Sequence, residues 1–278
     1  MKTVVALGGG GIKGLVTAEF LAAIGLPMPD LIVGTSTGGI LALAVALGKP
    51  LAALPGIYRD RGPEIFRKRI LAGLYRAKYS NAGLLSVIEE QFGHAKLGQC
   101  LTRAMVVCQW KADNTLSLLK SWRDTDILAV DAALCTSAAP TYFPVHMGRI
   151  DGGMARNNPC GVAMAEALRM FPGEPFRLLS INCPRTPSGS SATDGDWGAI
   201  RWMTHGLIES FMASGMDASA YETQVAMEAL GYPFLHVEPE YAHPLPMDDA
   251  SPAAIATLED IASRLVEKHA DEARRFLS

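Results

Sequence analysis

Apolar residues in this chain fall into short continuous runs, separated by breaks rich in glycine, proline and polar residues. The run at 3–7, Thr-Val-Val-Ala-Leu, is too short for a helix and carries β-branched side chains. It predicts a strand buried on both faces. Gly8-Gly9-Gly10-Gly11-Ile12-Lys13-Gly14 follows, and then a helix-like stretch at 15–21. The same order returns at once: an apolar run at 30–33, the turn Gly34-Thr35-Ser36-Thr37-Gly38, and an apolar helix at 37–47. Two strand–loop–helix units in 47 residues predict a parallel sheet with right-handed crossovers.

Further along the pattern is more mixed. Pro50 and Pro55 interrupt it, leaving a short helix with loops at 51–66, and Leu84, Leu85, Ile88 and Phe92 then recur at helical spacing over 81–92. Strands are expected at 104–110 and 116–122 around a turn at 112–114, a helix at 130–136 and a short strand at 146–150. A helix at 162–170 and a strand at 177–182 precede a stretch rich in Pro, Ser, Gly and Asp at 184–198, read as a surface loop or lid. Helices at 200–216 and 221–230, a strand at 234–237 and one or two helices over 252–276 complete the chain. There are no internal repeats, and residues 1–278 read as one domain.

Composition narrows the class. Of 278 residues, 49% are hydrophobic and 19% charged, enough apolar material for a large core. A net charge of −3 provides no global basic field, so nucleic acid is not an expected partner. The five cysteines are odd in number and lack C-x-x-C spacing, which suggests neither a disulfide framework nor a zinc site and fits a reducing compartment. The apolar run at 4–7 is too short for a signal peptide, and no run approaches the length of a membrane span. The expectation is a cytoplasmic protein with peripheral membrane contact left open. Seven basic residues between 59 and 78 (Arg59, Arg61, Arg67, Lys68, Arg69, Arg76, Lys78) read either as a solvated face or as a patch for anionic lipid headgroups.

The candidate chemistry centres on Ser36. A serine flanked by Gly34 and Gly38 at a strand-to-helix turn is pushed out above a sheet, facing the positive end of the following helix. Gly9, Gly11 and Gly14 satisfy G-x-G-x-x-G, but the second strand ends in Gly34-Thr35-Ser36 where a dinucleotide site needs an acid. Lys13 precedes Gly14 and Leu15, not Ser or Thr, so the phosphate-loop pattern fails too. A nest of backbone N–H groups facing a developing negative charge accounts better for four consecutive glycines. The missing element is a base. None of the six histidines sits in a motif that places it beside Ser36. Asp151, followed by Gly152-Gly153, is the strongest carboxylate, although Asp-Gly is also an ordinary turn.

Taken together, G-G-G-x-K-G after the first strand, G-T-S-T-G after the second, S-A-A-P-T-Y-F-P at 137–144 and D-G-G with N-N-P just after it resemble the patatin-like phospholipase family. The resemblance covers about residues 4–182 and is thin beyond them. It implies a three-layer α/β/α fold with a mainly parallel central sheet, and a Ser–Asp dyad without histidine. Ser36 would be the nucleophile, Asp151 its base, and Gly9, Gly10 and Gly11 the oxyanion donors. Lys13, Gly14, Gly34, Gly38, Gly152 and Gly153 would support them, with no metal or other cofactor. The implied partner is a membrane phospholipid or other acyl lipid. A soluble esterase or thioesterase using the same dyad, and a nucleotide-binding module, remain the alternatives. In the helix at 200–216, an apolar stripe including Trp202, Phe211 and Met212 reads as core or as a face meeting a membrane.

Overall fold

A computed structural model describes residues 1–69, 76–185, 198, 207–239, 241 and 245–278. The two repeated units sit at the centre of a seven-stranded sheet. They comprise β1 (Lys2–Leu7), α1 (Gly14–Ile24), β2 (Leu31–Thr35) and α2 (Thr37–Ala46). After the short helices α3 (Leu54–Arg59) and α4 (Gly62–Ile65) comes α5 (Asn81–Phe92). The middle of the chain supplies β3 (Arg103–Trp110), β4 (Leu116–Lys120), α6 (Ala129–Thr136), β5 (Arg149–Asp151) and α7 (Gly153–Arg156). Then follow α8 (Cys160–Met170), β6 (Phe176–Ile181), α9 (Leu207–Leu230), β7 (Phe234–Val237) and α10 (Pro252–Leu277).

The strand order is β4-β3-β2-β1-β6-β7, with β5 against β3. Strands β3, β2, β1, β6 and β7 run parallel, while β4 and β5 pair antiparallel to β3. Side chains alternate along each strand and so divide into two cores. Val5, Leu7, Ile32 and Val106 join α1, α2, α5, α6 and α10 on one face. Val4, Ala6, Val33 and Met105 join α8 on the other. The three-layer α/β/α expectation is met. Every residue of α2 is buried, which explains why its sequence is apolar on all sides.

Two expected elements differ. Residues 217–230 belong to one helix, α9, and not to two separated near 217–220. Asp217-Ala218-Ser219-Ala220 contains no glycine or proline. Ser219 marks a buried contact, its hydroxyl donating to the Asn158 carbonyl at 2.9 Å. The strand expected at 146–150 forms only at Arg149–Asp151, because Met147 (φ 47°) and Gly148 (φ 70°) turn the chain just before it. The loop expected at 184–198 and the start of the helix at 200–216, with its apolar stripe, lie almost wholly outside the described residues. The C-terminal segment forms the single helix α10, opened by Ser251, whose hydroxyl accepts from the Ala254 N–H. It packs on α1 through Leu258, Ile261 and Leu265.

Candidate active site

Leu7 pairs with Gly34, so the glycine loop and the Ser36 turn leave neighbouring parallel strands side by side at their carboxyl ends. The turn is tight. A Cβ at Gly38 would overlap the carbonyl oxygen of Leu7, so only glycine lets α2 start this close to β1. Ser36 itself takes φ 54° and ψ −126°, a backbone that side chains rarely adopt. Strain of this kind at a strand–helix turn is what raises a serine hydroxyl above a sheet. The Ser36 carbonyl accepts from Gly39 and Ile40 N–H, tying the turn into the first turn of α2.

Sheet register brings Asp151 to it. The last β2–β3 pair is Thr35 with Val107. At the next position along β3, Cys108 pairs instead with Asp151 of β5. Where β2 turns away at Ser36, β5 takes over the vacated edge of β3, and the two side chains meet. Ser36 Oγ donates to Asp151 Oδ2 at 2.6 Å. Asp151 Oδ1 accepts from the Gly153 N–H at 2.7 Å. Asp151 is 2% exposed and Ser36 8%. Burial pushes the Asp151 carboxyl up from the ordinary 3.8 to about 6, against the lowering effect of the bonds from Ser36 and Gly153. A Cβ at Gly152 would strike the Val107 carbonyl, so Asp-Gly-Gly provides both the close approach to β3 and a donor for the carboxylate.

The glycine loop divides its N–H groups. Gly8 continues the β1–β6 pairing, donating to Ile181, and the Gly9 N–H donates to the Asn157 carbonyl at 3.0 Å. Gly9 therefore departs from its expected role as an oxyanion donor, because its hydrogen is already engaged. Its lack of a side chain still matters, since a Cβ there would lie 3.1 Å from Ser36 Cβ. Gly10 and Gly11 line the cavity in front of Ser36, and their N–H groups meet no acceptor among the described residues. Lys13 is buried at the N-cap of α1. A Cβ at Gly14 would crowd Thr37 Oγ1 and the Tyr58 ring, and one at Gly34 the Gly38 carbonyl.

Ser36 and Asp151 lie on a cavity of about 690 Å³. Its walls are largely aliphatic and aromatic, among them Ile40, Ile57, Phe66, Leu84, Ile88 and Phe143. That is the apolar character of a pocket for an acyl-bearing ligand. On the glycine side, the Met247 carbonyl accepts from the Ile12 N–H at 2.9 Å and packs on Gly11. An oxygen acceptor thus already occupies this flank of the loop, an unfavourable neighbour for a phosphate.

Some contributors carry no sequence signal of their own. Thr136 Oγ1 accepts from the Ser36 N–H at 2.9 Å and donates to the Val107 carbonyl at 2.6 Å, linking the serine turn to β3. Ser137 places an unpartnered buried hydroxyl on the same cavity. Both precede the Ala-Ala-Pro of the 137–144 block, but nothing in the sequence says where their hydroxyls point. Among the described histidines, His146 bonds Asp131, His236 bonds Ser180 and His269 bonds Glu272, and none touches Ser36 or Asp151. His205 and His243 lie outside the described residues.

Comparison with known proteins assigns the family. The family model for patatin-like phospholipases matches residues 5–164, more than half of the chain. The chain belongs to the patatin-like phospholipase family. Its relatives include a cGAMP-activated phospholipase of Pseudomonas aeruginosa, 30% identical over 263 residues, covering 84% of this chain and 77% of the relative. Patatin-like protein 1 of Oryza sativa subsp. indica is 28% identical over 295 residues, covering 82% and 71%. The crystal structure of VipD from Legionella pneumophila aligns with 96% of this chain and 67% of its own, at 13% identity and a TM-score of 0.43. The patatin-like match contains both strand–loop–helix units, the 137–144 block and Asp151-Gly152-Gly153. As a patatin-like chain, this protein falls among lipid hydrolases. Among the described residues, no helix is long and apolar enough to cross a membrane.

Proposed function

We propose that this protein releases fatty acids from phospholipids or other acyl lipids by a metal-independent, two-step serine mechanism. The observation that carries the reading is the 2.6 Å bond from Ser36 Oγ to Asp151 Oδ2 on an apolar cavity. Ser36 attacks the ester carbonyl while Asp151 takes its proton. The carbonyl oxygen becomes an oxyanion in front of the Gly10 and Gly11 N–H groups, with the positive end of α2 behind it. Collapse of the tetrahedral species expels the alcohol, which takes the proton from Asp151, and leaves an acyl-enzyme on Ser36. Water then attacks, Asp151 accepting its proton, and the second collapse returns a proton to Ser36 and frees the acid. A carboxylate is a weak base for a serine hydroxyl. Burial of Asp151, which raises its proton affinity, and the two N–H donors, each typically worth roughly 100- to 1000-fold in rate, make up the difference.

The apolar walls favour a fatty-acyl chain over a small polar substrate, with the protein at a membrane surface while it acts. Ser36→Ala should remove fatty-acid release from phospholipid vesicles by more than about 1000-fold with the fold retained, and Asp151→Asn should come close to it. Mass spectrometry of lipids after incubation with each protein reads this directly. Full activity in Ser36→Ala would overturn the assignment. Turnover of short soluble esters, with none on vesicles or micelles, would point to a soluble esterase using the same pair.

A further inference from the structure

The seven basic residues between 59 and 78 are not one face. Arg59 pairs with Glu19 and with Glu259, Arg61 with Glu64 and Glu90, and Lys78 with Asp248. The remaining four, Arg67, Lys68, Arg69 and Arg76, are exposed and meet no acidic side chain among the described residues. They are also gathered in space. Lys68 bridges Tyr79 in antiparallel fashion, and the Arg69 N–H donates to the Lys78 carbonyl at 3.2 Å, so 67–69 and 76–79 are the two arms of one hairpin.

That hairpin adjoins the cavity. Phe66, immediately before Arg67, lines the cavity and packs its ring edge-on to Tyr79 at 5.5 Å and against Phe143 at 6.1 Å. On the other arm, Lys78 and Tyr79 donate from their backbone N–H groups to the carbonyls of Thr141 and Tyr142, both at 2.8 Å. Tyr142 and Phe143 are cavity walls as well. Four cations with no acidic partner among the described residues therefore stand on the structure that walls the cavity, in a protein whose net charge is −3. A local cationic surface on a net-acidic protein orients it toward an anionic plane, which an average charge would not do.

We infer that Arg67, Lys68, Arg69 and Arg76 form the surface by which this protein docks on a bilayer rich in anionic phospholipid, with the acyl cavity beside the lipid headgroups. The inference rests on the lipid-hydrolase reading and identifies the face on which that reaction takes place. Each exposed basic residue near an anionic surface contributes about a fivefold gain in partitioning, and the attraction weakens as salt shortens the Debye length.

The test separates docking from chemistry. In a Ser36→Ala background, binding is measured by co-sedimentation with vesicles of phosphatidylglycerol plus phosphatidylcholine and with phosphatidylcholine alone, at low and high sodium chloride. One variant carries Arg67→Gln, Lys68→Gln, Arg69→Gln and Arg76→Gln. A control carries Lys49→Gln, Lys111→Gln, Arg169→Gln and Arg275→Gln, the same change in net charge placed elsewhere. The expected result is salt-sensitive binding to the anionic vesicles that the hairpin variant loses by about 100-fold or more, while the control stays within about threefold of the parent. With Ser36 restored, the hairpin variant should hydrolyse a short soluble ester at the parental rate, which certifies its fold and its catalytic pair. Equal losses in both variants, or equal binding to phosphatidylcholine alone, would overturn the docking surface. So would parental release of fatty acid from anionic vesicles by the hairpin variant, and that result would leave the hydrolase reading standing. Hairpin-dependent binding with no fatty-acid release by the unmutated protein would overturn the hydrolase reading instead.

Discussion

Asp151 holds its proton up to about pH 6 in the folded protein and to about 3.8 when exposed. Only the carboxylate can accept the Ser36 proton, so kcat/KM on a soluble ester should rise about tenfold per pH unit below pH 6 and level off above it. The same shift bears on stability with a definite sign. Between pH 3.8 and 6 the native state binds more protons than the unfolded chain, so the stability this group contributes below 3.8 is lost as pH rises to 6. At pH 7 the buried carboxylate is a full burden, and Asp151→Asn should stabilise the fold by on the order of 1–3 kcal/mol while removing activity. Melting curves should show that advantage shrinking from pH 7 to pH 5. Thr136 lies at the opposite extreme. Thr136→Val strands the Ser36 N–H and the Val107 carbonyl in a buried place, costing about 1–3 kcal/mol by denaturant titration. Because Ser36 is held at φ 54°, the loosened turn should also lower kcat.

At the scale of elements, the site depends on how closely α2 meets β1 and on what fills the edge of β3. Gly38→Ala forces a methyl group into the Leu7 carbonyl, so α2 must shift away from the sheet. Loss of folded protein, or a drop in melting temperature of several degrees, is the expected outcome on expression and thermal unfolding. The glycine spacing made this element legible in advance: strand, tight turn and apolar helix follow from 30–47 alone. The handover from β2 to β5 along β3 was not legible. A three-residue strand has no periodicity to read, and its pairing partner lies about 40 residues earlier in the chain. The unbroken course of α9 through 217–220 was likewise hidden, because the one residue there that ties it to the rest of the fold, Ser219, is buried against Asn158 by a contact far away in the chain.

For the whole molecule, the cavity is a product of assembly. Ile40 comes from α2, Ile57 from α3, Leu84 and Ile88 from α5, and Phe143 from the segment before β5. In the sequence each of these is an ordinary core residue, and only their failure to close over Ser36 makes a pocket. Narrowing it should therefore alter selectivity before catalysis. Ile88→Phe should reduce kcat/KM for long-chain esters by about tenfold or more relative to short ones, with overpacking costing about 1–3 kcal/mol. Competition between long- and short-chain esters of one alcohol reads that ratio without depending on the amount of folded enzyme.

By itself the sequence nominated the residues proposed to carry chemistry and determined the local shapes that present them. A serine between glycines at a strand–helix turn, a glycine run after the first strand and Asp-Gly-Gly are short-range features, fixed by backbone sterics within a few residues. They were enough to indicate the family and to nominate Ser36 and Asp151. The tertiary structure decided which of these groups face one another. It brought Asp151 to 2.6 Å from Ser36 through strand register, engaged the Gly9 N–H with Asn157, and left Gly10 and Gly11 facing the cavity. It also divided seven basic residues into three that are paired and four that meet no acidic side chain among the described residues. Those outcomes hinge on distances between residues far apart in the chain, and no local pattern encodes such distances.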